Sequence, residues 1–111
     1  MQKDCIFCKI VAGEIPAEKV LETDHCIVIK DINPQAPVHV LVITKEHFDD
    51  ITQVKDKEIA ADIINAINKV AEKLNLDYFR VVNNKGRGAG QSVFHVHFHV
   101  LAGRPFAWPP G

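Results

Sequence analysis

Residues 92–101 read SVFHVHFHVL, and this stretch decides how the rest of the chain is arranged. Alternate side chains of a β-strand share one face, so the three histidines are predicted to point one way and the intervening apolar residues the other. The histidines are His95, His97 and His99, and the apolar residues are Val96, Phe98 and Val100. Neighbouring histidines would be about 6.6 Å apart, which suits a row of groups along an extended anion better than one metal site. The alternative is a merely polar strand face.

The segment before the histidines reads GRGAGQS, residues 86–92. Glycine permits positive φ and lets backbone N–H groups approach a ligand, so such a run can form an anion-binding concavity. Taken alone, such a loop is better explained as a flexible hairpin turn. Its junction with the histidines makes phosphate binding the better interpretation, with Gln91 and Ser92 as further polar contacts. An imidazole beside phosphate can act as nucleophile, general acid or base. The pattern does not say which histidine attacks, although His97 has a neighbour on each side.

Outward from this segment, the periodicity predicts a single α+β domain, residues 1–111, with an antiparallel sheet and one long helix. The predicted strands are residues 26–29, 38–43, 78–82 and 92–101. Apolar residues recur at three- and four-residue steps over 55–74, as in Ile59, Ile63 and Ile67, and predict the helix. A short helix or turn is expected at 5–11. The proline-rich tail 103–111 is not expected to be helical.

The composition excludes several classes of protein. Thirteen basic residues balance fourteen acidic ones, so there is no broad basic footprint for nucleic acid. No apolar run approaches the roughly 18 residues of a membrane span, and no secretory signal pattern is visible. A cytoplasmic location is therefore expected, with the three cysteines reduced. Cys26 is expected in the core and His25 in an exposed loop.

Cys5 and Cys8 have the spacing of half a zinc site. His47, just beyond the strand of residues 38–43, and His95 are the candidates for the other two ligands. The alternative is a pair of small buried thiols. A zinc-bound His95 has its lone pair occupied, so its part in catalysis would be positional. No organic cofactor is expected.

Three stretches carry a resemblance to a known family: 91–101, 31–39 (DINPQAPVH) and 108–111 (WPPG). The first resembles the signature of the histidine triad (HIT) family, and the last is similar to the ending of its nucleotide-binding branch, Hint. The likeness extends over essentially the whole chain. It implies a HIT-like fold whose sheet continues across a homodimer, the tail 103–111 reaching the partner subunit. Some bacterial members resemble this chain in having two cysteines and two histidines for structural zinc.

The resemblance also implies an activity, that of a purine nucleoside phosphoramidase which cleaves AMP or GMP from an amine through a nucleotidyl-histidine. His97 would be the nucleophile. His99 and Ser92 would contact the phosphate or the leaving group, and His39 and His95 would orient and tune the site. The implied nucleotide-binding residues are Asp31, Ile32, Asn84, Gly90, Gln91, Ser92, His97, His99, Phe7, Ile10, Ile29 and Trp108.

Other functions stay open at this stage. His99 occupies the position that resembles glutamine in nucleotidyltransferase relatives, which favours hydrolysis over transfer. A dinucleoside polyphosphate hydrolase would share the triad, although the WPPG ending points away from that branch. A catalytic metal on His95, His97 or His99, or a purine nucleotide sensor without catalysis, would also use this histidine cluster. No nucleic acid or membrane partner is expected.

Overall fold

The computed structural model describes residues 4–111, which form a five-stranded antiparallel sheet with two helices. The helices are α1 (Ile6–Val11) and α2 (Lys57–Lys73), and the strands are β1 (Lys19–Glu22), β2 (Cys26–Lys30), β3 (Val38–Thr44), β4 (Arg80–Val82) and β5 (His97–Ala102). Short 3₁₀ turns lie at Ile51–Gln53 and Arg87–Ala89. The strand order is β1-β2-β3-β5-β4. The predicted α+β architecture is confirmed.

Helix α2 covers one face of the sheet. Asp56 caps its N-terminus, because the carboxylate accepts the N–H groups of Glu58 and Ile59, and the helix ends before Asn75, which has positive φ. Its apolar stripe packs on alternate residues of β2, β3 and β5. Phe98 and Val100 of β5 belong to the apolar cluster under α2 together with Val96, which directly precedes the strand, so the prediction that the apolar residues between the histidines pack under the long helix is confirmed.

Helix α1 covers the opposite face, where a smaller apolar cluster forms. The cluster consists of Phe7, Ile27, Ile29, Leu41 and Ile43. His97 lies opposite Ile43 and His99 opposite Leu41 in the β3–β5 ladder. Directly paired residues of antiparallel strands project to the same face, so both histidines lie on the side that α1 covers.

The structure differs from the sequence-based prediction in two strands. β1 was not predicted, because its four residues are half-buried or exposed at a sheet edge and show no clear alternation. β5 begins at His97, so the prediction that His95 shares a strand face with His97 and His99 is wrong. Pairing of β5 with β3 stops at His97, and the preceding Val96 N–H donates to the carbonyl of Phe48 instead.

None of the helices in residues 4–111 combines the length and the apolar character that a membrane crossing needs.

Candidate active site and neighbouring metal centre

A cavity of about 360 Å³ opens between α1, the end of β2 and the start of β5. Its volume falls within the range of small-molecule sites. The predicted site residues that line it are Phe7, Ile10, Ile29, Asp31, Ile32, Ser92, His97 and His99. The lining thus combines an apolar wall, formed by side chains of α1 and β2, with carboxylate, hydroxyl and imidazole groups.

The tautomer of His97 follows from its backbone contact. Its Nδ1 lies 2.7 Å from the carbonyl oxygen of His95, which can only accept, so Nδ1 carries the proton. The neutral ring therefore has its lone pair on Nε2. Asn83 donates from its side-chain amide to the carbonyl of His97 at 2.9 Å, which holds the backbone of this residue. A buried imidazole with an unprotonated, oriented nitrogen is suited to nucleophilic attack.

A second chain of hydrogen bonds fixes His39 and His99. The N–H of Gln35 donates to Nδ1 of His39 at 3.0 Å, so the proton of His39 lies on Nε2. That Nε2–H donates to Nδ1 of His99 at 2.8 Å, which leaves His99 with an N–H donor at Nε2. Asp31 Oδ2 lies 3.4 Å from Nε2 of His39. His97 thus offers an acceptor to the cavity and His99 a donor.

Burial keeps these imidazoles neutral. Burial, together with smaller effects of the neighbouring His97 and His39, lowers the pKa of His99 to about 4, although Asp31 acts in the opposite direction. Burial also lowers the pKa of His97, against the opposing effects of its hydrogen bond to the His95 carbonyl and of Asp31. The pKa of His39 is lowered by burial too, and Asp31 opposes this. At neutral pH the lone pair of His97 Nε2 is therefore free for attack.

Cys5, Cys8, His47 and His95 converge beside this site, with one donor atom each within 4.8 Å of all the others. The Nδ1 of His95 lies 3.2 Å from Cys5 Sγ and 3.5 Å from Cys8 Sγ, and the Nδ1 of His47 lies 3.3 Å from Cys8 Sγ. Around a tetrahedral zinc ion, sulfur and nitrogen ligands would be about 3.6 Å apart, given the usual bond lengths. The four predicted ligands are thus brought together at nearly the required spacing.

The two histidines of this cluster also have the tautomer that a metal needs. His95 donates from Nε2 to the carbonyl of Thr44 at 2.7 Å, and His47 donates from Nε2 to the carboxylate of Asp49 at 2.8 Å. Both lone pairs are then on Nδ1, which faces the thiols. Such partners on the far nitrogen are the usual way in which metal-ligating histidines are oriented.

A second group, Asp31, His39 and His99, is equally close but does not fit a metal. The N–H of Gln35 occupies the lone pair of His39 Nδ1, so Nε2 of His39 keeps its proton and cannot ligate. His95 meanwhile belongs to the cysteine cluster. The arrangement therefore argues against a catalytic metal held by the histidine triad.

The glycine loop is closed on itself by Gln91, whose buried side chain accepts the N–H of Gly86 and donates to the carbonyls of Asp49 and Val93. The N–H of Gly90 donates to the carbonyl of Arg87 within the same loop. These donors are used internally and are not free for phosphate. Neither Gly90 nor Gln91 lines the cavity, and the roles of these two residues in ligand binding stay predictions.

Two further predicted residues, Asn84 and Trp108, also lie outside the cavity lining. Asn84 is half-buried next to the glycine loop. Trp108 is 82% exposed on the tail. The tail is anchored by Phe106, which lies against the guanidinium groups of Arg80 and Arg104.

Sequence reasoning missed the groups that orient the functional side chains. Asn83 holds the backbone of His97, Asp49 orients His47, and the carbonyl of Thr44 and the N–H of Gln35 set two tautomers. The carboxylate two residues after His47 was a usable signal for Asp49. Each of the other contacts has a backbone group as one partner, and because backbone groups leave no mark in a sequence, these contacts could not be predicted.

Comparison with known proteins identifies the family to which this chain belongs. The HIT domain model matches residues 12–106. An uncharacterized HIT-like protein of Synechocystis is 46% identical, with all of both chains covered. A HIT family hydrolase from Legionella pneumophila is 44% identical with a TM-score of 0.92, over 97% of this chain and 100% of the other. A histidine triad nucleotide-binding protein from Candida albicans is 37% identical with a TM-score of 0.85, over 96% and 83%. This chain belongs to the HIT, or histidine triad, family.

Proposed function

We propose that the protein is a purine nucleoside phosphoramidase that cleaves AMP or GMP from an amine through a nucleotidyl-histidine intermediate. The observation that carries this proposal is the tautomer of His97, whose Nδ1–H is bonded to the His95 carbonyl while Nε2 retains its lone pair beside the cavity. Membership of a family that includes a named hydrolase and a named nucleotide-binding protein supports it.

In the first step, Nε2 of His97 attacks the α-phosphorus and the P–N bond breaks. The amine leaves with the electron pair of that bond and takes up a proton from solvent, relayed by the hydroxyl of Ser92, which is exposed at the cavity. The nucleotidylated ring becomes cationic, and its Nδ1–H bond to the His95 carbonyl stabilises that charge. The Nε2–H of His99 donates to the phosphoryl oxygens as negative charge develops.

In the second step, water attacks phosphorus, the P–Nε2 bond breaks and its electron pair returns to His97. The proton lost by water leaves with the nucleotide or to solvent, so the enzyme is restored. Phe7, Ile10 and Ile29 would enclose the purine, since they form the apolar wall. Asp31 would bind the ribose hydroxyls with its Oδ2, because its Oδ1 already accepts the N–H of Asn33.

A hydrolysis screen tests the activity. AMP- and GMP-linked amines serve as substrates, dinucleoside polyphosphates as controls, and release of amine and nucleotide is measured. Preferential cleavage of P–N bonds is expected. Preferential cleavage of dinucleoside polyphosphates would assign the protein to that hydrolase class, and nucleotide binding without amine release would indicate a sensor.

The pH dependence of kcat/KM should follow the lowered pKa of His97. Protonation of Nε2 removes the lone pair, so activity is lost on acidification, and the midpoint is expected below the ordinary histidine value of 6.5. The measurement is kcat/KM for a fluorescent adenosine phosphoramidate between pH 4.5 and 8. An acid limb centred at 6.5 or above would contradict the assignment of a buried, neutral nucleophile.

The same proposal includes structural zinc at Cys5, Cys8, His47 and His95, supported by the donor spacing and by the two tautomers. When bound, zinc would cross-link α1 to the segments that precede α2 and β5. Four protein ligands would leave no open coordination position for a substrate. Elemental analysis of protein purified without added metal is expected to give close to one zinc per chain. The cytoplasmic location, which would keep both thiols reduced, stays a prediction.

A homodimer is proposed through the exposed edge of β4. Val81 of β4 and Tyr78, which precedes the strand, are exposed, and the exposed Trp108 belongs to the tail that Arg80 of β4 contacts through the carbonyl of Ala107. An unpaired strand edge with apolar side chains favours pairing with another strand, here that of a second copy. Sedimentation equilibrium should give twice the chain mass at micromolar concentration. A monomer at that concentration would contradict the proposal.

A further inference from the structure

We propose that the metal centre and the nucleotide pocket are energetically coupled through Phe7 and His95, so that bound metal and bound nucleotide each strengthen the retention of the other. The identity of the nucleotide rests on the proposed function. The coupling itself rests on the contacts between the two clusters, which share one short helix and one peptide group.

Helix α1 is the first link. Its N-cap residue Cys5 and its buried Cys8 carry two of the metal donors, while Phe7 and Ile10 form part of the pocket wall. The helix has six residues, too few to be stable by its own hydrogen bonds. Whatever holds the two thiols in place therefore also holds the apolar wall against which a purine would lie.

His95 is the second link. Its ring faces the thiols through Nδ1 and the Thr44 carbonyl through Nε2, and its own carbonyl accepts the Nδ1–H of His97. The ring of Phe7 contacts both imidazoles edge-on. Its centroid lies 5.9 Å from the ring centroid of His95 and 5.0 Å from that of His97. A displacement of His95 or Phe7 therefore changes the position of the His97 ring, because both residues contact it.

Coupling of this kind is reciprocal. Metal bound at the four donors orders α1 before the nucleotide arrives, and bound nucleotide orders the same helix from its other side. The second ligand then binds to a chain in which α1 is already partly ordered, so its binding loses less conformational entropy. We expect each ligand to change the affinity for the other by about 5-fold or more.

The test is the rate at which zinc-loaded protein gives up zinc to an excess of a fluorescent chelator, with and without saturating AMP. Initial rates are compared, so the fate of the metal-free chain does not affect the result. AMP is expected to slow zinc release about 5-fold or more. Equal rates, with AMP occupancy confirmed by calorimetry, would overturn the proposal, as would a chain that does not hold zinc even after reconstitution.

Phe7→Leu tests the link without touching a metal donor. The variant keeps an apolar side chain but loses the ring that contacts both imidazoles, so the effect of AMP on zinc release should fall towards none. Phe79→Leu is the matched control, because Phe79 packs in the cluster under α2, on the other face of the sheet. An undiminished AMP effect in Phe7→Leu, or an equal loss in both variants, contradicts the assigned route.

A readout without nucleotide separates this inference from the proposed function. In protein labelled with ¹⁵N-histidine, exchange of zinc for the larger cadmium ion should shift the ring signals of His97, while those of His25 stay in place. Should AMP fail to bind, the proposed function fails, and these shifts alone decide whether the metal centre is coupled to His97 in the pocket. Ring signals of His97 as unresponsive as those of His25 would then refute it.

Discussion

Replacing His97 by alanine should reduce the hydrolysis of an adenosine phosphoramidate by at least about 10³-fold. The substitution removes the only group whose lone pair is both oriented by a backbone acceptor and placed at the cavity among the described histidines. The Nε2–H of His99 can donate but not attack, because its proton position is imposed through His39. No neighbouring imidazole therefore replaces the nucleophile.

The measurement is steady-state turnover together with mass spectrometry of rapidly quenched enzyme. Wild type should carry one nucleotidyl group during turnover and His97→Ala none. His25→Ala is the matched control, since His25 lies in the turn before β2 and is not among the residues that line the cavity. Circular dichroism checks that both variants fold. Turnover near the wild-type rate in folded His97→Ala would remove the assignment of the nucleophile.

Replacing Cys8 by serine should release the metal and lower the free energy of unfolding by about 4 kcal/mol or more. The Sγ of Cys8 lies 3.3 Å from Nδ1 of His47 and 3.5 Å from Nδ1 of His95, the two imidazoles of the proposed metal centre. A serine hydroxyl stays protonated at neutral pH and is a poor zinc ligand. The binding free energy of a structural metal is also folding free energy, so both are lost together.

Zinc content and the thermal unfolding midpoint measure this effect. Cys26→Ala is the control, because Cys26 is fully buried under α2 and outside the metal group. It should retain one zinc per chain and lose less stability, since it removes only one packed sulfur atom. Equal zinc content in Cys8→Ser and wild type would show that Cys8 is a buried thiol and not a ligand.

The spacing of apolar residues along the sequence predicted most of the fold. The three- and four-residue recurrence of Ile59, Ile63 and Ile67 predicted α2 to within two residues at its start and one at its end. β2 and β3 were found because continuous β-branched runs are typical of strands buried on both faces. β1 was missed because an edge strand that is half-exposed needs no apolar alternation and leaves little pattern.

By itself, the sequence determined the chemistry available: three histidines next to a glycine loop, a Cys-x-x-Cys pair, and an apolar set that packs under α2. These depend on residue type and local spacing. Only the tertiary structure decided how the histidines are divided. His95 leaves the strand to join the cysteines, whereas His97 and His99 face the cavity. The division depends on hydrogen bonds to the carbonyls of Thr44 and His95 and to the N–H of Gln35. Every residue has such backbone groups, so only folding selects the ones that set a tautomer.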